Sequence, residues 1–171
     1  MPEEIFDVVD EHDRVIGSAP RSEVHARRLL HRAVHVFLFN TRGELLVQTR
    51  SATVDEFPLC YNSSVSGHVS TGESYEECAP REMQEEIGLS APLEFLAKFP
   101  ASPETAREHT VLYRAYSDEQ PIFDTLEVAA VAFYELDLLK QMRAGEPERF
   151  SPPFRVLLDW YLAEQSAIGR R

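Results

Sequence analysis

Hydrophobic and polar positions change their period several times along the chain, and each change marks an element. Phe6, Val8 and Val9 lead into the polar run Glu11-His12-Asp13-Arg14, and Val15, Ile16 and Gly17 follow, the pattern of an N-terminal hairpin. Ser22 to Leu30 is short and polar, enough for one helical turn. Ala33 to Asn40, AVHVFLFN, is rich in β-branched and aromatic residues and reads as a buried strand. Thr41-Arg42-Gly43 is a tight turn, and Glu44 to Arg50 is expected to pair back as the next strand. Residues 51 to 66 carry Pro58 and two clusters of small residues and read as irregular.

The period then becomes helical. Ala79, Met83 and Ile87 recur every fourth residue, so Ser74 to Ile87 is predicted as a helix with Gly88 as its C-terminal cap. Pro80 removes one helical hydrogen bond, and a bend or a late start is expected there. Leu93 to Phe99, Thr110 to Tyr116 and Val128 to Leu136 read as strands. Asp137 to Arg143 and Phe154 to Glu164 read as helices, separated by a break from Gly145 to Pro153. The order is a mixed α/β pattern with at least two central hairpins. It contains no linker, repeat or low-complexity segment, so residues 1–171 are expected to form one domain.

Composition narrows the function classes. A chain of 171 residues with 43% hydrophobic and 27% charged positions suits one soluble domain with a sizeable core. The longest apolar run, Val128 to Tyr134, is too short to span a bilayer, and the acidic start MPEEIFDVVD has no signal-peptide character, so the default location is cytoplasmic. Cys60 and Cys78 form no pattern, which argues against a structural disulfide and a thiolate zinc site. A net charge of −12, from 29 acidic and 17 basic residues, argues against nucleic-acid binding. It remains compatible with a phosphorylated small molecule if a metal ion and a few arginines screen the repulsion. No membrane or protein partner is indicated.

The candidate chemistry lies in REMQEE. On a helix, Glu82, Glu85 and Glu86 stand at i, i+3 and i+4 and share one face. Three like charges on one face repel, whereas a hard divalent cation needs several carboxylate oxygens directed at one spot. The wider spacing is Gly67, five residues, Glu73, seven residues, Arg81-Glu82, Met83, one residue, Glu85-Glu86, one residue, Gly88 and Leu89. This run, residues 67–89, resembles the signature of the Nudix hydrolases at every constrained position. The resemblance implies an α/β/α sandwich with a mixed central β-sheet. It implies Mg²⁺, with Mn²⁺ as the substitute, held by Glu82, Glu85 and Glu86 with the Gly67 carbonyl nearby. It also implies that Glu73 and Arg81 brace the loop against the helix, and that Glu82 or Glu85 orients or deprotonates the attacking water. Arg50 and His68 are candidates for phosphate contact, and Glu108 or Glu104 for a further ligand or base. The implied substrate is a small-molecule nucleoside di- or triphosphate, or a nucleoside diphosphate derivative, cleaved at a phosphoanhydride bond.

The resemblance extends beyond the motif. VVDEHDRVIGSAPRSEVH, LLHRAVHVFLFNTRGELLV, NSSVSGH and FSPP are similar to the isopentenyl diphosphate isomerase branch of the same fold. In that branch His25, His31 and His68 match metal-binding histidines, with His25 offset by one residue, and Arg50 matches a diphosphate-binding arginine. Four departures oppose isomerase activity. Ser66 stands at the active cysteine, and a hydroxyl is a far weaker acid than a thiol. Pro153 stands at a carbocation-stabilising tryptophan and Val54 at a phosphate-binding lysine. The second metal-binding carboxylate pair falls near Arg107 to His109, where Glu108 is the approximate match. The isomerases also degrade the Nudix motif, which is whole here. A non-catalytic nucleotide-sensing module is the remaining alternative, and the intact glutamates oppose it.

Other residues have two readings. His35 alternates with apolar neighbours and reads as a core or sheet-face histidine. His25 and His31, among Arg27, Arg28 and Arg32, fit either a basic loop near the substrate or a solvated surface loop. Phe57, Tyr61, Phe99 and Phe154 either stack on a base or fill the core, with core filling the more common use of aromatics.

Overall fold

The computed structural model describes residues 2–169. The chain opens with the hairpin β1 (Ile5–Val9) and β2 (Val15–Pro20), followed by the short helix α1 (Arg21–Arg27). Then come β3 (His31–Phe39), β4 (Leu45–Arg50), β5 (Tyr61–Asn62), β6 (Val65–His68), α2 (Tyr75–Ile87), β7 (Glu94–Phe99), β8 (Glu108–Tyr116), β9 (Val128–Tyr134), α3 (Leu136–Gly145) and α4 (Pro152–Ile168). No helix among the described residues is long and apolar enough to cross a membrane.

The larger sheet runs β5-β4-β3-β8-β7, with β6 also on β3 and β9 also on β4. It is mixed, because β3 and β8 pair in parallel and the other pairs are antiparallel. Strand β3 explains the layering. Its side chains alternate across the sheet, and nearly every one is buried, which is why it reads as a continuous apolar run. Val34, Val36 and Leu38 pack with Met83 and Ile87 of α2 on one face. Phe37 and Phe39 pack with Phe154, Leu157 and Leu158 of α4 on the other. Burying each such large side chain contributes roughly 1.5–3 kcal/mol. The result is the expected α/β/α sandwich.

The β3–β4 hairpin departs from expectation. The two strands share one register pair, Phe39↔Leu45. They then separate, and β6 joins β3 from Ala33↔His68 to Val36↔Val65. The segment 51–66 is therefore not wholly irregular. It contains β5 and the start of β6, whose two and four residues are too short to show a period. Two further elements are longer than expected: α1 has seven residues rather than one turn, and α4 starts at Pro152.

Helix α2 runs without interruption from Tyr75, so the late start expected from Pro80 does not occur. Both ends are held. Ser74 Oγ accepts from the Glu77 N–H while Glu77 Oε2 accepts from the Ser74 N–H at 2.9 Å, a reciprocal capping box. At the other end Gly88 adopts φ 66°, the left-handed conformation a glycine takes without strain.

Candidate active site

The fork between β3 and β4 opens into a cleft of about 200 Å³. Alternation sends the polar members of the surrounding strands into it. His35 comes from β3, Gln48 and Arg50 from β4, Asn62 from β5, and Ser66 and His68 from β6. Glu82, Glu85 and Glu86 reach it from α2, and Glu108 from the start of β8.

Gly67 on β6 makes the approach of α2 possible. A Cβ there would lie 2.1 Å from Glu82 Cδ, so only hydrogen fits. Glu82 is buried, and burial pushes its carboxyl up to about 7. Glu86 is deeper. Its Oε2 accepts from the Ser66 N–H and from Gln48 Nε2, both at 3.0 Å. Burial and the neighbouring Glu82 charge push Glu86 up to about 8. Two buried carboxylates with raised proton affinity form an acidic pair that a divalent cation would relieve, and their hard oxygens suit Mg²⁺ or Mn²⁺.

Glu85 is the exposed member of the set. Arg81 draws it and Glu82 sideways: Arg81 Nη1 donates to Glu82 Oε1 at 2.8 Å and to Glu85 Oε2 at 3.1 Å. The other edge of the same guanidinium grips Glu73 with two prongs, Nε to Oε1 at 2.7 Å and Nη2 to Oε2 at 2.9 Å. Arg81 thus ties the loop before α2 to the helix, and hydrogen bonds from Arg81 hold the Glu73 carboxyl below its ordinary range.

The three helical glutamates share the cleft but do not converge tightly. The clusters whose ligand atoms lie within 4.8 Å of one another, among the described residues, are His25-His31-His68 and Glu56-His68-Glu108. The three imidazole rings stand 5.2 to 5.4 Å apart, with Phe6 stacked on His68 at 4.7 Å. Glu108 Oε1 accepts from His68 Nε2 at 2.9 Å. It lies 3.5 Å from His31 Nε2, close enough for an ion pair, yet that nitrogen and His25 Nε2 remain buried without a hydrogen-bond partner. Burial alone would raise the Glu108 carboxyl, but the adjacent His31 and His68 hold it well below the usual range. Burial pushes His25 down to about 4. Orphaned imidazole nitrogens facing a carboxylate are a donor set for a transition metal.

The structure resolves several open readings. His31 is 2% exposed and His25 half-buried, so neither occupies a solvated loop. His35 is buried, with Nδ1 2.7 Å from Ser63 Oγ, and it borders the cleft. Arg50 donates through Nε to the Glu56 carbonyl at 2.8 Å and faces the cleft. Glu108 lines the cleft, whereas Glu104 is exposed on the turn before β8 and does not. Phe154 fills the core, Phe99 meets Trp160 edge to face, Tyr61 is half-buried against Phe150, and Phe57 lines the cleft. Sequence reasoning did not identify Gln48, Asn62 or Glu56. The i, i+2 spacing of Gln48 and Arg50 at the end of an apolar strand was the available signal for the first.

Residues 29–158 match the NUDIX domain family model. The chain belongs to the Nudix family. It is a hydrolase of phosphoanhydride bonds, of a family that uses divalent metal ions. The Nudix chain is 35% identical over 151 residues to a prenyl-diphosphate phosphatase of Methanosarcina mazei, covering 86% of this chain and 88% of that one. It is 30% identical over 162 residues to isopentenyl-diphosphate Delta-isomerase 2 of Photorhabdus laumondii, covering 92% of each. The crystal structure of DR0079 from Deinococcus radiodurans superposes with a TM-score of 0.79 at 29% identity, over 91% of the Nudix chain and 98% of DR0079.

Proposed function

We propose that this Nudix chain is an Mg²⁺- or Mn²⁺-dependent pyrophosphohydrolase of nucleoside di- or triphosphates or nucleoside diphosphate derivatives. The supporting observation is the entry of Glu82, Glu85 and Glu86 into one cleft with Arg50. A divalent ion held by these carboxylates, with the Gly67 carbonyl and Glu108 as further donors, would neutralise phosphate oxygens and lower the pKa of a bound water.

The chain's own groups divide the remaining work. Arg50 is anchored through Nε and keeps its other nitrogens for a phosphate. His68 borders the same space and offers a second contact. Glu82 or Glu85 takes the proton of the attacking water. Arg81 and Glu73, neither of which lines the cleft, position the helix.

Two observations favour hydrolysis over double-bond isomerisation. Ser66 Oγ accepts from Asn62 Nδ2 at 2.7 Å, so the position of the isomerase cysteine carries a weakly acidic hydroxyl in a polar network. Pro153 borders the same cleft where a cation-stabilising ring would stand. The histidine cluster and the two prenyl-diphosphate relatives favour a second reading, hydrolysis of a prenyl diphosphate. A panel of nucleoside di- and triphosphates, nucleoside diphosphate sugars and prenyl diphosphates, assayed for phosphate release with Mg²⁺, separates the two. Turnover of nucleotides supports the first reading. Turnover of prenyl diphosphates alone replaces it with the second, and an allylic product from isopentenyl diphosphate would restore the isomerase.

A further inference from the structure

In so acidic a chain a cation without a carboxylate is the exception. Among the lysines and arginines of residues 2–169, those with no carboxylate within 4.0 Å are Arg28, Arg50, Arg107, Lys140 and Arg155. Three of these five line two adjacent pockets. Arg50 faces the catalytic cleft. Arg28 and Arg107 flank a second pocket, of about 340 Å³, between α1 and the turn that leads into β8. The two spaces share Glu56, Phe57 and Ala106 as a common wall.

The backbone around this second pocket is held in costly conformations. Six non-glycine residues among those described have positive φ, and four of them border the pocket: Arg28 at 53°, Phe57 at 48°, Ala106 at 55° and Arg107 at 67°. A left-handed conformation is disfavoured for a side-chain-bearing residue because its Cβ crowds the following carbonyl oxygen, and such strain collects where a surface is shaped for a ligand. Arg107 is half-buried, which makes its missing counter-charge more costly than that of an exposed arginine.

We propose that the Arg28–Arg107 pocket is a second anion subsite, receiving a further phosphoryl group of a substrate whose diphosphate lies in the cleft beside Arg50. This rests on the hydrolase reading and narrows its substrate class to molecules with an anionic group beyond the scissile diphosphate. Guanidinium groups are suited to a phosphoryl group because their paired N–H donors match two of its oxygens.

Two phosphonate rulers that water cannot cleave test the subsite: methylenediphosphonate with two phosphoryl groups, and bis(methylene)triphosphonate with three. Both are titrated calorimetrically into the full chain at saturating Mg²⁺. The wild-type chain is expected to bind the longer ruler about tenfold more tightly, a gap of the size one good charged contact supplies. Arg28→Gln/Arg107→Gln closes that gap while affinity for the shorter ruler is kept, which also shows that the variant is folded. Arg42→Gln/Lys140→Gln removes the same charge elsewhere and leaves the gap open. Equal affinities in the wild type overturn the proposal, as does a gap that survives in the first variant, equal weakening toward both rulers, or a gap lost in the control. Nucleotide turnover without a wild-type gap removes the subsite alone, whereas absence of both binding and turnover removes the hydrolase reading with it.

Discussion

The backbone of Gly67 and the side chain of Glu82 occupy adjoining space, such that a methyl group on Gly67 would sit 2.1 Å from Glu82 Cδ and 2.4 Å from its Cγ. Glu82 is 8% exposed, so it has little room to yield. Gly67→Ala is expected to fold, with a loss of roughly 1–3 kcal/mol from overpacking, and to displace Glu82 from the cleft. Turnover should fall about a hundredfold, the penalty for a misplacement of about an ångström. Steady-state phosphate release beside a thermal midpoint checks this, and a variant with unchanged turnover would show that Glu82 is not placed by Gly67.

Arg81→Lys keeps a positive charge and loses the two-pronged grip on Glu73. The expected result is a kcat lower by about tenfold or more, because one ammonium cannot hold Glu73 and steer Glu82 and Glu85 together. The loop should loosen at the same time. Glu73 Oε2 also accepts from the Ser70 N–H at 3.0 Å, so hydrogen exchange at Ser70 should accelerate. Exchange and kcat both matching the wild type would contradict the bracing role.

Stability should depend on pH in a definite direction. Glu82 and Glu86 keep their protons in the folded chain up to about 7 and about 8, against 4.5 when exposed. The folded state then binds more protons than the unfolded one, and stability falls as pH rises through that window. His31, whose proton affinity is raised beside Glu108 despite its burial, adds to the fall. His25 and His35, held near 4 by burial against 6.5 when exposed, act in the opposite sense, but only below 6.5. Glu108 loses its contribution only below 4.5. The thermal midpoint of the metal-free chain should therefore drop between pH 6.5 and about 8, and Mg²⁺ should remove most of the drop by replacing the protons. A midpoint that rises across this interval would refute the burial of the two carboxylates.

Much of this was legible in the sequence, and the illegible part has physical causes. The apolar run of β3 and the fourfold period of α2 announced both helical layers, because each element buries one face over many residues. Glu82, Glu85 and Glu86 were readable because a helix converts spacing into a shared face. The departure of β4 from β3 after Phe39↔Leu45 was not readable, since strand pairing is set by partners distant in the chain. The meeting of His25, His31 and His68, which come from three elements, was legible only through the resemblance to the isomerase branch and not from any local pattern. Of the bend or late start expected at Pro80, the late start fails because the capping box and the packing of Cys78, Ala79 and Met83 outweigh one missing hydrogen bond.

Glu86→Gln is expected to lower turnover by about a thousandfold, since it removes a charge needed by a divalent ion. The metal-free fold should be no less stable at pH 8. A glutamine oxygen can still accept from Ser66 and Gln48, and the buried charge at this position is gone. Thermal melts beside the kinetics separate these effects, and a variant that unfolds would assign Glu86 a structural role instead.

Phosphate release from the nucleotide panel, followed through chelation and readdition of metal, tests the central claim most directly. Activity should disappear in chelator, return with Mg²⁺ or Mn²⁺, and fail to return in the Glu86→Gln chain. Release that continues undiminished in chelator would show that the carboxylates of the cleft do not work by holding a cation.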